Sequence, residues 1–516
     1  MTKLNRRRLL AAGTMAAALP TRIFAQTLEA ARPRLLQGVQ SGDVMADGAV
    51  VWSRADRPSR MVVEYATTES FADPRRIVGP LALEATDFTS RVRIRGVAPG
   101  QTVFYRVSYL DLGDYKTMSE PVGGRFRVPP SAGNDVSFVW SADTVGQGWG
   151  INPDVGGMTI YEAMRQLAPD FFIHSGDTIY ADNPLQAEKK LPDGRVWKNI
   201  VTEAKSRVAE TLDDFRGNHR YNLLDDNLRR FNAEVPILAQ WDDHEVVDNW
   251  YWERRLDNDR RYRQKSVAVL AAYGERAFRE YMPLAGDLDG PMQLYRRFSF
   301  GPRLDIFRID MRSYRGPNGA NRQTEAGPGT ALLGNRQIEW LKGSLKDSKA
   351  TWKLIAADMP IGVVIHDDWR SKSGSEAVAN GDDGAPLGRE LEIADLLAFI
   401  KREDIPNVHW LCGDVHYAAT HRYAPDRASF TDFTPFYEFV SGPLCAGGFG
   451  PNVLDRTFGP EIVFQKVPPH GRFDLAPSEG SCHFGHVRID GATGGLTVTH
   501  RDAAGAVLHT LSLAPA

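Results

Sequence analysis

From about residue 35 to residue 128 the chain runs in short apolar and polar alternations. Residues 49–53, 61–65, 91–94 and 103–107 are rich in β-branched and aromatic side chains with partial period-two patterning, which predicts half-buried strands. Gly48, Pro58, Pro74, the 96–100 segment and Gly113 break them. No apolar period of helical length appears in this stretch, so the expectation is a small antiparallel sandwich. Pro129-Pro130-Ser131-Ala132-Gly133 reads as a linker. Beyond it the pattern becomes strand followed by helix. Residues 136–140, 171–173, 235–239, 304–309, 352–357, 408–411 and 438–441 read as strands. Residues 159–167 and 335–346 read as helices, with Ile160, Met164 and Leu167 on one face of the first and Ile338, Leu341 and Leu345 on one face of the second. That alternation predicts an α/β core. The expected organisation is therefore multidomain: a β-sandwich over 34–129 and an α/β domain over 134–512. Two long charged and aromatic insertions, 182–232 and 250–296, are expected to form helices or lids over a site.

The first 25 residues follow neither pattern. Asn5-Arg6-Arg7-Arg8-Leu9-Leu10 precedes a short alanine-rich apolar segment and Ile23-Phe24-Ala25, the layout of a secretory signal. The paired arginines followed by two leucines resemble a twin-arginine leader. The expected location is periplasmic or secreted, with the twin-arginine export machinery as a partner. Residues 1–25 hold five basic side chains and no acid, so their removal takes the formal charge from −3 to −8. Neither charge supplies the basic footprint of bulk nucleic-acid binding. No apolar run approaches the roughly 20 residues of a membrane-spanning helix. Three cysteines, Cys412, Cys445 and Cys482, are neither a disulfide framework nor a zinc ribbon.

Chemistry gathers just after the apolar strands, where open α/β sheets place their ligand crevice. Four segments stand out. Asp143 closes Phe138-Val139-Trp140-Ser141-Ala142-Asp143, and an aspartate there is equally a turn former. In His174-Ser175-Gly176-Asp177-Thr178-Ile179-Tyr180, glycine turns the chain out of the strand, so a carboxylate and a phenolate can return to one side. Such anionic oxygen donors suit a hard ion such as Fe³⁺, while a structural turn with a core tyrosine is the plain alternative. Trp241-Asp242-Asp243-His244-Glu245 places four titratable groups directly after a buried strand. In Gly413-Asp414-Val415-His416 the aspartate and histidine are two apart and face the same way in extended geometry.

Taken in order, the four segments resemble the metallophosphoesterase pattern, in the tyrosine-bearing form of purple acid phosphatases. The third motif reads Asp243-His244-Glu245 and the fourth Gly413-Asp414-Val415-His416, departures that resemble the PhoD-type alkaline phosphatases and phosphodiesterases. Residues 309–315 and 439–443 are similar to segments of that family, and 97–105 resembles the turn-then-tyrosine segment of fibronectin type III domains. The resemblance spans nearly the whole chain. It implies a fibronectin-III-like sandwich, then a metallophosphoesterase core of two sheets flanked by helices. It also implies Asp143, Asp177, Tyr180 and His416 around a first ion, Asp177 bridging to a second, and Asp243 and Asp414 on that second ion. Fe³⁺ is expected at the first site. Ca²⁺, Mn²⁺ or Mg²⁺ is expected at the carboxylate-rich second. Asp143 stands where the best-known PhoD-type enzymes have cysteine.

Hydrolysis of phosphate esters has its own physical logic. Two adjacent cations lower the pKa of a bound water from about 15.7 towards neutrality and clamp the phosphoryl oxygens for in-line displacement. His244 is the expected partner of the leaving oxygen, with Glu245 or Asp242 orienting its ring. Arg312 is a candidate phosphate contact, because its planar fork matches two phosphate oxygens, or else a surface ion pair. The expected substrates are small phosphate esters, with phospholipid or polymer diesters open. The rival readings are a phospholipase-D-like enzyme on the same scaffold, a non-catalytic metal-stabilised surface binder, and a glycosidase with paired carboxylates. The last leaves Tyr180 and the Asp414/His416 pair without a role.

Overall fold

The computed structural model describes residues 32–516. The leader expected over 1–25 lies outside them. Two large sheets form the centre. One has nine strands in the order Val507–Leu513, Leu496–Asp502, His483–Ile489, Val136–Ser141, Phe171–Ser175, Ile237–Gln240, Val39–Met45, Gly48–Arg54 and Thr89–Ile94. The other has seven, in the order Arg296–Phe300, Leu304–Arg308, Trp352–Ala356, Val408–Cys412, Phe436–Val440, Ala418–Tyr423 and Pro460–Lys466.

Period-two alternation assigns each central strand two faces. Phe138, Trp140, Phe171, Ile173 and Leu238 of the first sheet share one core with Leu304, Ile306, Leu354, Leu411 and Phe439 of the second. The intervening residues point outward. Val139, Phe172 and Ala239 pack under Ile160, Met164 and Phe231 of the helices Thr159–Gln166 and Asp226–Glu234. Phe307, Ile355, Trp410 and Val440 pack under Ile338, Leu341, Ile393 and Leu397 of the helices Gly334–Asp347 and Glu390–Arg402. The result is helix, sheet, sheet, helix, as the alternation of strands and helices requires.

The N-terminal strands form the expected sandwich. Arg75–Ala82, Ser59–Ala66, Thr102–Asp111 and Val122–Arg127 make a four-stranded antiparallel sheet. Its Met61, Val63, Val103 and Val107 face Ala49, Val51, Val92 and Ile94. The facing sheet is the end of the nine-stranded one, because Val39–Met45 pairs in parallel with Ile237–Gln240 through Gly42 and Ile237. A buried ion pair of 2.9 Å between Asp43 and Arg308 ties this strand to the second central sheet.

The two insertions pack helices into the core beside the first sheet and send Asp182, Asn183 and residues 254–261 to the lining of an open cleft. Residues 182–232 contain a short hairpin, Glu188–Lys190 with Val196–Lys198, and the helix Leu212–Asn222, started by a reciprocal Thr211/Asp214 capping box. Residues 250–296 contain the helix Val267–Tyr281. Among the described residues no helix is long and apolar enough to cross a membrane.

Candidate metal centre

Six strands in the two sheets share one local layout. Strands ending at Ser141, Ser175, Gln240, Arg308, Ala356 and Cys412 are each followed two residues later by an aspartate: Asp143, Asp177, Asp242, Asp310, Asp358 and Asp414. Three of these, Asp143, Asp177 and Asp414, adopt left-handed backbone with φ of 67°, 54° and 67°. Aspartate tolerates that region better than most side chains, so the chain leaves the strand sharply and turns the carboxylate over its end. Gly176, at φ 98°, allows the second of these turns. A Cβ there would lie 2.4 Å from that of Asp242.

Two ligand groups form on this floor. Asp143, Asp177 and His416 bring one donor atom each within 4.8 Å of one another, and so do Asp177, Asp243 and His244. Asp177 belongs to both. Tyr180 joins the first, its Oη 2.9 Å from Nε2 of His416. The other nitrogen of that ring, Nδ1, lies 2.6 Å from the carbonyl oxygen of Gly447 and donates to it. Nε2 is therefore left with a lone pair towards the cluster. Burial lowers the His416 pKa to about 4, which keeps the ring neutral as a ligand must be.

The donor set fits cations. Both carboxylate oxygens of Asp143 are buried and have no hydrogen-bond partner among the described residues. Burial, with the charges of Asp243 and Glu245 against it, pushes its carboxyl well above the usual range although His244 opposes this. Asp177 is pushed up by burial and by Asp243, Glu245 and Asp143, and Asp414 by burial and by Glu376 and Asp243. Burial and the same carboxylates raise the Tyr180 phenol. A cluster of acids that resists ionisation alone is stabilised by positive charge placed among them.

His244 sits differently from the donors around it. Its Nδ1 lies 2.7 Å from Asp182 Oδ1, its ring stacks on Tyr180 with centroids 4.2 Å apart, and Nε2 is 3.8 Å from Asp243 Oδ1. Burial alone would lower its pKa. Asp182, Asp243 and Asp177 reverse this and hold it well above the ordinary imidazole value. These groups line the floor of an open cleft of about 1400 Å³, with Asp177, Asp243, His244, Asp414 and His416 at its base.

Residues 138–499 match the family described as PhoD-like phosphatase. The chain belongs to that family. Residues 20–130 match the PhoD-like phosphatase N-terminal domain. Among curated proteins, alkaline phosphatase D of Bacillus subtilis (strain 168) is 28% identical over 460 residues, covering 84% of this chain and 73% of that protein. Among solved structures, one of PhoD superposes with a TM-score of 0.68 at 20% identity, covering 94% of this chain and 90% of the other. Purple acid phosphatase PPD1 from yellow lupin (Lupinus luteus) seeds superposes at 0.57 with 11% identity, covering 94% and 74%. These two establish the fold. As a PhoD-like phosphatase the chain is a phosphoric ester hydrolase, with acidic and histidine groups suited to metal cofactors.

Two expectations for this PhoD-like phosphatase need correction. Arg312 is fully buried and does not reach the cleft. Its Nε donates to Asp242 at 2.6 Å, and its guanidinium also pairs with Glu376, so in this structure its fork is taken up by carboxylates. The His244 ring is oriented by Asp182, not by Glu245 or Asp242. Glu245 instead accepts from Thr178 N at 2.5 Å, Thr178 Oγ1 at 2.6 Å and Asp242 N at 2.8 Å, stapling two motif loops together. Asp182 escaped the sequence reading because it lies inside the 182–232 insertion. Its only local signal is its position two residues beyond Tyr180.

Proposed function

We propose that this PhoD-like phosphatase is a metal-dependent hydrolase of phosphate monoesters, diesters or both that acts outside the cytoplasm after twin-arginine export. The observation that carries the metal reading is the buried pair of ligand groups sharing Asp177, with both carboxylate oxygens of Asp143 in one of them left without a hydrogen bond among the described residues. Asp143, Asp177, Tyr180 and His416 would hold Fe³⁺. Asp177, Asp243 and Asp414 would hold Ca²⁺, or Mn²⁺ or Mg²⁺ in its place. When bound, two neighbouring cations supply the nucleophile's lowered pKa and neutralise phosphoryl charge.

The chain's own residues do the rest. Asp182 fixes His244 with Nδ1 protonated, which directs Nε2 towards the cleft. In the imidazolium form favoured by the surrounding carboxylates, Nε2–H is positioned to give its proton to the leaving ester oxygen. Asn249 N donates to Asp243 Oδ2 at 2.6 Å and fixes that carboxylate. The backbone N–H of His244 donates to Asp177 Oδ1 at 3.1 Å and ties the third motif to the second.

The test is metal analysis of purified protein together with its activity on matched monoester and diester substrates. Two or more ions per chain, and loss of hydrolysis on chelation with recovery on metal return, are expected. Full activity in metal-free protein would overturn the proposal.

A further inference from the structure

With Arg312 enclosed, the anionic substrate needs another positive contact, because the floor of the cleft is carboxylate-rich. The 250–296 insertion lines one wall with four arginines, Arg254, Arg255, Arg260 and Arg261, and Arg370 stands elsewhere on the lining. Most are engaged or unanchored. Arg255 pairs with Asp257 at 3.0 Å and Arg261 with Asp259 at 2.7 Å. Arg370 lies over the Trp369 ring, 5.3 Å from its centroid. Arg260 is exposed, and among the described residues nothing fastens its side chain.

Arg254 differs from all of these. It is half-buried, and among the described residues it is in no ion pair. Its Nη1 donates to the backbone carbonyl of Asp248. The N–H of Asp248 donates to Asp182 Oδ2 at 3.1 Å, and the other oxygen of Asp182 holds His244. Asp248 Oδ1 is 3.9 Å from His244 Nε2. The guanidinium is thus moored next to the candidate acid, while Nε and Nη2 have no protein hydrogen-bond partner among the described residues.

We propose that Arg254 is the phosphate-gripping residue of the cleft, its fork contacting non-bridging oxygens of the substrate from the lining beside His244. The inference rests on the phosphatase reading of that cleft and adds a specificity residue to it. A planar, permanently charged fork with one corner anchored is already aligned to give two parallel bonds to a phosphate. It also gives the 250–296 insertion a role that is electrostatic as well as steric.

The experiment uses the full metal-loaded chain with p-nitrophenyl phosphate as substrate and inorganic phosphate as ligand, the latter measured both as inhibitor and by calorimetry. Arg254→Gln should raise KM and weaken phosphate binding by roughly tenfold to a hundredfold, the range for losing a charged hydrogen bond. The fall in kcat should be smaller, and metal content and melting temperature should hold. Arg254→Lys should recover part of the loss, and Arg263→Gln, on the same insertion but off the cleft lining, should change neither constant. If wild-type protein binds phosphate and Arg254→Gln binds it equally well, the Arg254 assignment falls while the phosphatase reading stands. The assignment falls in the same way if Arg260→Gln carries the loss instead. If wild-type protein binds phosphate and loses it in Arg254→Gln yet hydrolyses no ester, Arg254 stands and the proposed reaction falls. If wild-type protein binds no phosphate, both are overturned.

Discussion

Asp182 holds Nδ1 of His244 at 2.7 Å, and it does so from a loop outside the motif that carries the histidine. Asp182 is itself buried, and its carboxyl is held down to about 2 by His244 against the effect of burial. The pair therefore stabilises imidazolium over imidazole. Asp182→Asn removes that charge and lowers the His244 pKa. Since the proton donor is the protonated ring, the alkaline limb of the kcat–pH profile should move to lower pH, with metal content unchanged. His244→Ala should lower kcat by about 10²–10⁴-fold, less for esters with good leaving groups. Metal loss in His244→Ala would show that the ring is a ligand.

Asp177 is common to both ligand groups. Asp177→Asn should empty or scramble both sites, read by elemental analysis, whereas Asp243→Asn should affect chiefly one. Iron-loaded protein should carry a visible phenolate charge-transfer band that Tyr180→Phe abolishes. A colourless native protein with a fully active Tyr180→Phe variant would remove the case for iron at that site.

The enclosed position of Arg312 gives it a stability phenotype. Arg312→Met leaves Asp242 and Glu376 buried with less countercharge, a change that costs about 3–5 kcal/mol in comparable buried pairs. The denaturant midpoint should fall accordingly. A variant with unchanged stability and a raised KM would return Arg312 to the role of phosphate contact.

Export is tested on the leader itself. Arg6→Lys with Arg7→Lys should leave unprocessed protein in the cytoplasm of the native host. Normal appearance of mature protein beyond the inner membrane would remove the twin-arginine assignment.

Much of this was legible in the sequence because it is local. Period-two apolar runs specified strands with two buried faces, and the helix expected over 335–346 occupies Gly334–Asp347. The close spacing of Asp177 and Tyr180, and of Asp414 and His416, already kept those donors together. Six aspartates two residues past a strand end are, by contrast, locally alike, and only packing sorts them. Asp177 and Asp414 come to the cleft floor, and Asp143 is buried beside Asp177 and His416. Asp242 and Asp358 turn to Arg312, with Asp358 Oδ2 3.5 Å from its Nε. Asp310 closes its own turn by accepting from Ser313 N at 2.9 Å. The partners that decide each fate lie far along the chain: Arg312 is 70 residues from Asp242, and His244 is 62 from Asp182. Strand period and turn chemistry are set by neighbours in sequence. Which carboxylate meets a cation, an arginine or an imidazole depends on which strand ends the two sheets bring face to face, and no local pattern encodes that.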